Sequence, residues 1–155
     1  MFYSILLTLH SLTRWLVIIA AVYAIYLSIS GIVKKSVWTK KDDRAGILFA
    51  SIVDLQLLLG FVLYFFVSPI TTAALRDFAG AMLDVVTRFF AVEHSLVMLL
   101  GLVLVHVGRT LSKKGDNDLR KHQRAAIWFF IALIVILSAI PWPFMDVGRP
   151  LFPFG

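Results

Sequence analysis

Residues 5–32 read ILLTLHSLTRWLVIIAAVYAIYLSISGI, an apolar run whose single formal charge is Arg14 and whose one histidine is His10. At a rise of ~1.5 Å per residue, a helix over this stretch outlasts the ~30 Å hydrocarbon core of a bilayer, so it reads as a membrane span. It begins close to Met1 without a basic leader, and apolar helix continues well past the small residues Ala20, Ala21 and Ala24. A retained helix is therefore expected rather than a cleaved signal peptide.

Three further apolar segments, at about 46–67, 89–108 and 125–141, repeat the pattern. The last is short and borrows Trp142 and Phe144 as interfacial anchors. With 60% hydrophobic residues, 15% charged residues and a mean hydropathy of +0.90, the 155-residue chain is too apolar for an ordinary soluble domain. The expectation is an all-α integral membrane protein, one four-helix domain over residues 1–155.

The net charge of +6 follows the membrane rather than a nucleic acid. Lys34, Lys35, Lys40, Lys41 and Arg44 fill the first connection, and Arg109, Lys113, Lys114, Arg120, Lys121 and Arg124 fill the third, whereas the second holds only Arg76 and Arg88. The positive-inside rule then places connections one and three in the cytoplasm and both termini outside, in an up-down-up-down bundle. Between the second and third spans, Leu75, Phe78, Met82, Leu83 and Val86 recur at helical spacing, which predicts a short outer surface helix over about 72–86. Pro141-Trp-Pro-Phe144 ends the fourth helix, and the proline-interrupted tail Arg149-Pro-Leu-Phe-Pro-Phe154 is expected to lie across the outer face.

His10 and His94 carry the functional signal, because an imidazole inside an apolar span is costly and marks a position with a role. Both open the tripeptide His-Ser-Leu, at 10–12 and 94–96, and both lie about five residues, or ~8 Å, into their segments from the outer side. Matched depth on two helices suits the two axial positions of one haem b iron, each imidazole offering one nitrogen while the other N–H finds an acceptor. The chain has no cysteine, which excludes disulfides, iron–sulfur clusters and covalent c-type haem.

Several residues join this candidate site. Met98, Gly101 and Gly108 share a stripe of the third span with His94, and two readings of the glycines stay open: room for a flat macrocycle, or a close helix-packing seam. Arg14, one turn below His10, needs a partner, and Asp54 on the second span lies at a depth its side chain can reach, with Gln56 nearby. Arg88 and Arg76 lie near the outer mouth, as neutralisers of haem propionates or as ordinary interfacial arginines. Glu93 points about 100° away from His94 and is expected to face Arg88, Arg76 or the interface. A second haem at His106 and His122 is disfavoured. His106 is 12 residues beyond His94, a turn of ~120°, and His122 sits in a basic stretch that reads as a solvated turn.

The segments His10-Ser-Leu-Thr-Arg-Trp15, Asp54-Leu-Gln-Leu-Leu-Leu-Gly60, Arg88-Phe-Phe-Ala-Val-Glu-His94 and Ile140-Pro-Trp-Pro-Phe144 resemble those of small bacterial four-helix inner-membrane proteins labelled cytochrome b-like. The resemblance implies a multi-pass protein of the bacterial inner membrane and suggests haem b. The chain departs from larger di-haem cytochromes b in its His94–His106 interval and in lacking paired histidines on any other helix, so one haem is expected.

No nucleophile with a base, catalytic carboxylate pair or phosphate loop is visible, so an electron-transfer subunit of a respiratory complex is expected rather than a stand-alone enzyme. Its partners would be the lipid bilayer, further membrane subunits or a second copy, and a quinone or periplasmic electron carrier, with no nucleic acid. The alternative is a cofactor-free structural or assembly subunit in which the histidines and an Arg14–Asp54 pair are interhelical contacts. A proton pathway through Arg14, Asp54 and Glu93 is a third reading, disfavoured as a stand-alone transporter by the absence of an inverted repeat.

Overall fold

The computed structural model describes residues 1–152. Among them the chain is all-helical, and four helical stretches are long and apolar enough to cross a membrane: Phe2–Lys34, Lys40–Val67, Val85–Lys113 and Asp118–Ser138. The first is α1 (Phe2–Lys34), which ends in a left-handed Lys35 whose N–H returns to the carbonyls of Gly31 and Ile32. α2 (Lys40–Val62) starts at once from a capping box, with Thr39 as N-cap and Asp42 reaching back to the Thr39 N–H at 2.8 Å. It runs on into a π-helical turn over Leu63–Val67.

The second connection differs from the expected surface helix. It forms three short helices, α3 (Pro69–Arg76), α4 (Phe78–Ala81) and α5 (Val85–Arg88). Two aspartates make the breaks: Asp77 accepts from the Gly80 N–H and Asp84 from the Thr87 N–H, so each starts a new helix where one continuous helix was expected. The Thr87 hydroxyl and N–H hold the Asp84 carboxyl below the usual carboxylate range. Ala74 and Ala81 bury one face of this connection against Ala91 at the start of the third span.

A second π-helical turn, Phe89–Glu93, leads into α6 (His94–Lys113), and α7 (Asp118–Ser138) follows from the N-cap Asn117. α7 begins seven residues before the expected start at 125. That earlier start moves His122 from the expected solvated turn into the helix, where it is fully buried. Its ring lies 4.9 Å from Trp38 and against Gly31, where a Cβ would collide with the imidazole.

α1 packs on α2 and α7, and α6 packs on the same two helices, so α1 and α6 stand diagonally across the bundle. The half nearer the two short links is filled by Ala24, Phe49, Val105, Ala125 and Phe129, with Phe49 and Phe129 meeting edge to face at 5.4 Å. Alanine and glycine let the backbones approach, which in lipid replaces a hydrophobic driving force between helices. At Gly108 a Cβ would lie 2.7 Å from Trp128 Cβ and 3.1 Å from the Phe129 ring. Gly108→Leu is therefore expected to destabilise the bundle by about 1–3 kcal/mol, read as a lower thermal midpoint in detergent. An unchanged midpoint would show that the α6–α7 seam is loose.

Candidate functional site

The half of the bundle away from the short links is built differently. His10 on α1 and His94, the first residue of α6, reach inward from the two diagonal helices until their rings are 6.3 Å apart, inclined at 68°. Around them is a partly open cavity of about 370 Å³, lined by residues of all four long helices. Small and polar residues border part of this space, among them Ser11, Gln56, Gly60, Ala91 and Ser95.

The orientation of His94 follows from the Pro-Trp-Pro stretch after α7. In a continuing helix the carbonyls of Leu137 and Ala139 would accept from the N–H groups of residues 141 and 143, but both are prolines. Side chains take the two freed carbonyls: Trp142 Nε1 donates to Leu137 at 3.0 Å and His94 Nδ1 to Ala139 at 2.8 Å. His94 is thereby held as the tautomer whose Nε2 keeps a free lone pair, the form a metal ligand needs. The π-helical turn just before His94 adds to this, with Ser95 Oγ returning to the Phe90 carbonyl at 2.9 Å.

His10 is held from α2. Gln56 Nε2 donates to the His10 carbonyl at 2.9 Å and lies 3.3 Å from His10 Nε2, while Gln56 Oε1 accepts from the Thr13 hydroxyl. One turn on, Gly60 makes room for the ring, since a Cβ there would come within 3.3 Å of His10 Cε1. His10 Nδ1 is buried without a hydrogen-bond partner.

The expected Arg14–Asp54 pair does not form. Asp54 Oδ1 meets His106 Nε2 at 2.8 Å on a half-exposed flank between α2 and α6. Arg14 is buried, donates from Nη2 to the Leu151 carbonyl at 2.8 Å and lies 5.6 Å from the Trp15 ring centre. The cause is rotation about the helix axis: Asp54 and Gln56 are two residues apart, ~200° around α2, so when Gln56 faces α1, Asp54 faces away.

Met98 lines the cavity one turn below His94. Gly101 does not; a Cβ there would meet Ile136 of α7 at 2.7 Å, which makes it part of the packing seam. Arg88 pairs with Glu93 at 2.8 Å, as expected for Glu93, and neither Arg88 nor the exposed Arg76 borders the cavity. Arg149 borders it instead, with its guanidinium 4.7 Å over the Phe90 ring. The tail reaches α1, where the Leu151 carbonyl accepts from Arg14 and Trp15 and Phe152 stacks on Trp15 at 5.5 Å, while Pro153 and Phe154 lie outside the described residues.

Among the described residues no group of three or more histidine, cysteine, aspartate or glutamate side chains converges. Two imidazoles can serve as the axial pair where the other ligands come from a macrocycle. At about 2.0 Å per metal–nitrogen bond, two rings on opposite sides of one metal have centres about 6 Å apart, which agrees with the His10–His94 separation. Comparisons with protein-family models, curated proteins and solved structures gave no match.

The pairing has a direct check. Asp54→Asn and His106→Gln are expected to be coupled by about 0.5 kcal/mol or more in a double-mutant cycle of unfolding in detergent, whereas Asp54→Asn and Arg14→Gln add within ~0.5 kcal/mol. Strong coupling of Asp54 to Arg14 would restore the pair expected from depth alone.

Proposed function

We propose that this chain is a cytochrome b-like membrane protein that carries electrons, holding one haem b between His10 and His94. The carrying observation is the approach of those two rings to 6.3 Å across the diagonal of the bundle, beside a cavity that is otherwise mostly apolar. The cavity volume, about 370 Å³, is of the size that small-molecule sites take, ~300–1,000 Å³. When bound, haem supplies one-electron exchange. The residues of the chain orient and shield: Ala139 fixes the His94 tautomer, Gln56 and Gly60 set the His10 ring, and Met98 and Leu102 close the cavity from below.

In this reading the helices run up-down-up-down in a bacterial inner membrane with both termini outside, which puts the histidines in the outer half. A site at that depth exchanges electrons with a quinol or a periplasmic carrier, and a partner subunit completes any route across the bilayer. His106 pairs with Asp54 and His122 packs on Trp38, so neither is available to a second haem without losing those contacts.

One observation favours a cofactor-free structural subunit instead. Gln56 Nε2 stands 3.3 Å from His10 Nε2, so that ring nitrogen already has a partner within the protein. A reduced-minus-oxidised visible spectrum of the detergent-purified protein separates the two. A sharp low-spin haem b signal is expected in the wild type and should be lost in His10→Ala and in His94→Ala. A colourless, well-folded wild type from haem-replete cells would overturn the cytochrome reading and leave the structural one.

A further inference from the structure

The cavity contains a charge imbalance that two facing histidines do not address. Its lining includes Arg14 and Arg149 and no aspartate or glutamate. Among the described residues, Arg14 is 9% exposed, its Nε is buried without a partner, and its one acceptor is the neutral Leu151 carbonyl. Among the described residues neither arginine forms an ion pair.

One short segment carries Arg149 and also the carbonyl that Arg14 holds. The Arg149 N–H donates to the Pro141 carbonyl at 3.1 Å and its guanidinium lies over Phe90, which fixes it at the cavity. Two residues on, Leu151 is the group that Arg14 holds. A guanidinium matches a carboxylate with parallel N–H donors, and a cation out of water is compensated far better by an anion than by a carbonyl.

We propose that Arg14 and Arg149 form a clamp for the carboxylate of an amphiphilic ligand whose apolar body occupies the cavity. The clamp shares that cavity with the haem reading and rests on it only for one of two sources of the acid: the carboxylates of a porphyrin, or the carboxyl group of a fatty acid entering from the bilayer.

The test uses protein purified from haem-starved cells and compares each acid with its methyl ester by native mass spectrometry: metal-free protoporphyrin against its dimethyl ester, and palmitate against methyl palmitate. Metal-free protoporphyrin lacks the iron that the histidines would ligate, so only the acid contact is probed. In the wild type at least one acid is expected to bind about tenfold or more tightly than its ester. That advantage should fall towards unity in Arg14→Gln and in Arg149→Gln. Arg149 follows the last long helix, so its variant remains informative if Arg14→Gln does not fold.

A preference in the porphyrin arm supports the clamp and names a macrocycle. A preference confined to palmitate supports the clamp while counting against haem as its ligand. No preference for either acid in the wild type, or one that persists in either folded variant, overturns the clamp, whatever the visible spectrum shows.

Discussion

Every backbone carbonyl freed inside a bilayer has to find a donor in the protein, because no water is there to supply one. Pro141 and Pro143 free two at the end of α7, and the side chains that answer them are Trp142 and His94. The first answer is local and seals the helix end. The second reaches across to α6 and fixes the tautomer and direction of the imidazole at the centre of the candidate site. The proline stretch that ends the last long helix is thus also the part of the chain that aims His94.

The bundle divides into a closed half and an open half. Near the short links, alanines, Gly108 and the Phe49–Phe129 contact bring the helices together around a filled interior. Towards the other end, Gly60, Ser11, Ser95 and Ala91 line a space that imidazoles and arginines enter. Leaving a cation such as Arg14 unpaired within a span costs roughly 2.5–3.5 kcal/mol on insertion scales, so its persistence there calls for a role.

Asp54 and His106 meet the same physics from the outside of the bundle. Each is half exposed between α2 and α6, and each answers the other's hydrogen-bonding demand at 2.8 Å. His122 shows the opposite solution: it is enclosed by Trp38 and by the missing side chain of Gly31, and neither ring nitrogen has a hydrogen-bond partner among the described residues.

The sequence by itself determined what lies along the helix axes. Run length and hydropathy set the four spans, prolines set the end of the last, and a fixed rise per residue put His10 and His94 at matching depth. The Asp77 and Asp84 caps were also legible as residue types, although the amphipathic spacing between them pointed to one continuous helix. What the tertiary structure decided is rotation about those axes: Gln56 rather than Asp54 towards α1, Gly101 towards Ile136, Arg149 rather than Arg88 or Arg76 at the cavity. A span that is apolar on every side carries no polar-against-apolar stripe to mark its inward face, since lipid and interior are equally apolar. Which residues meet is then fixed by how small and large side chains pack across the bundle, and that is known only once all four helices are in place.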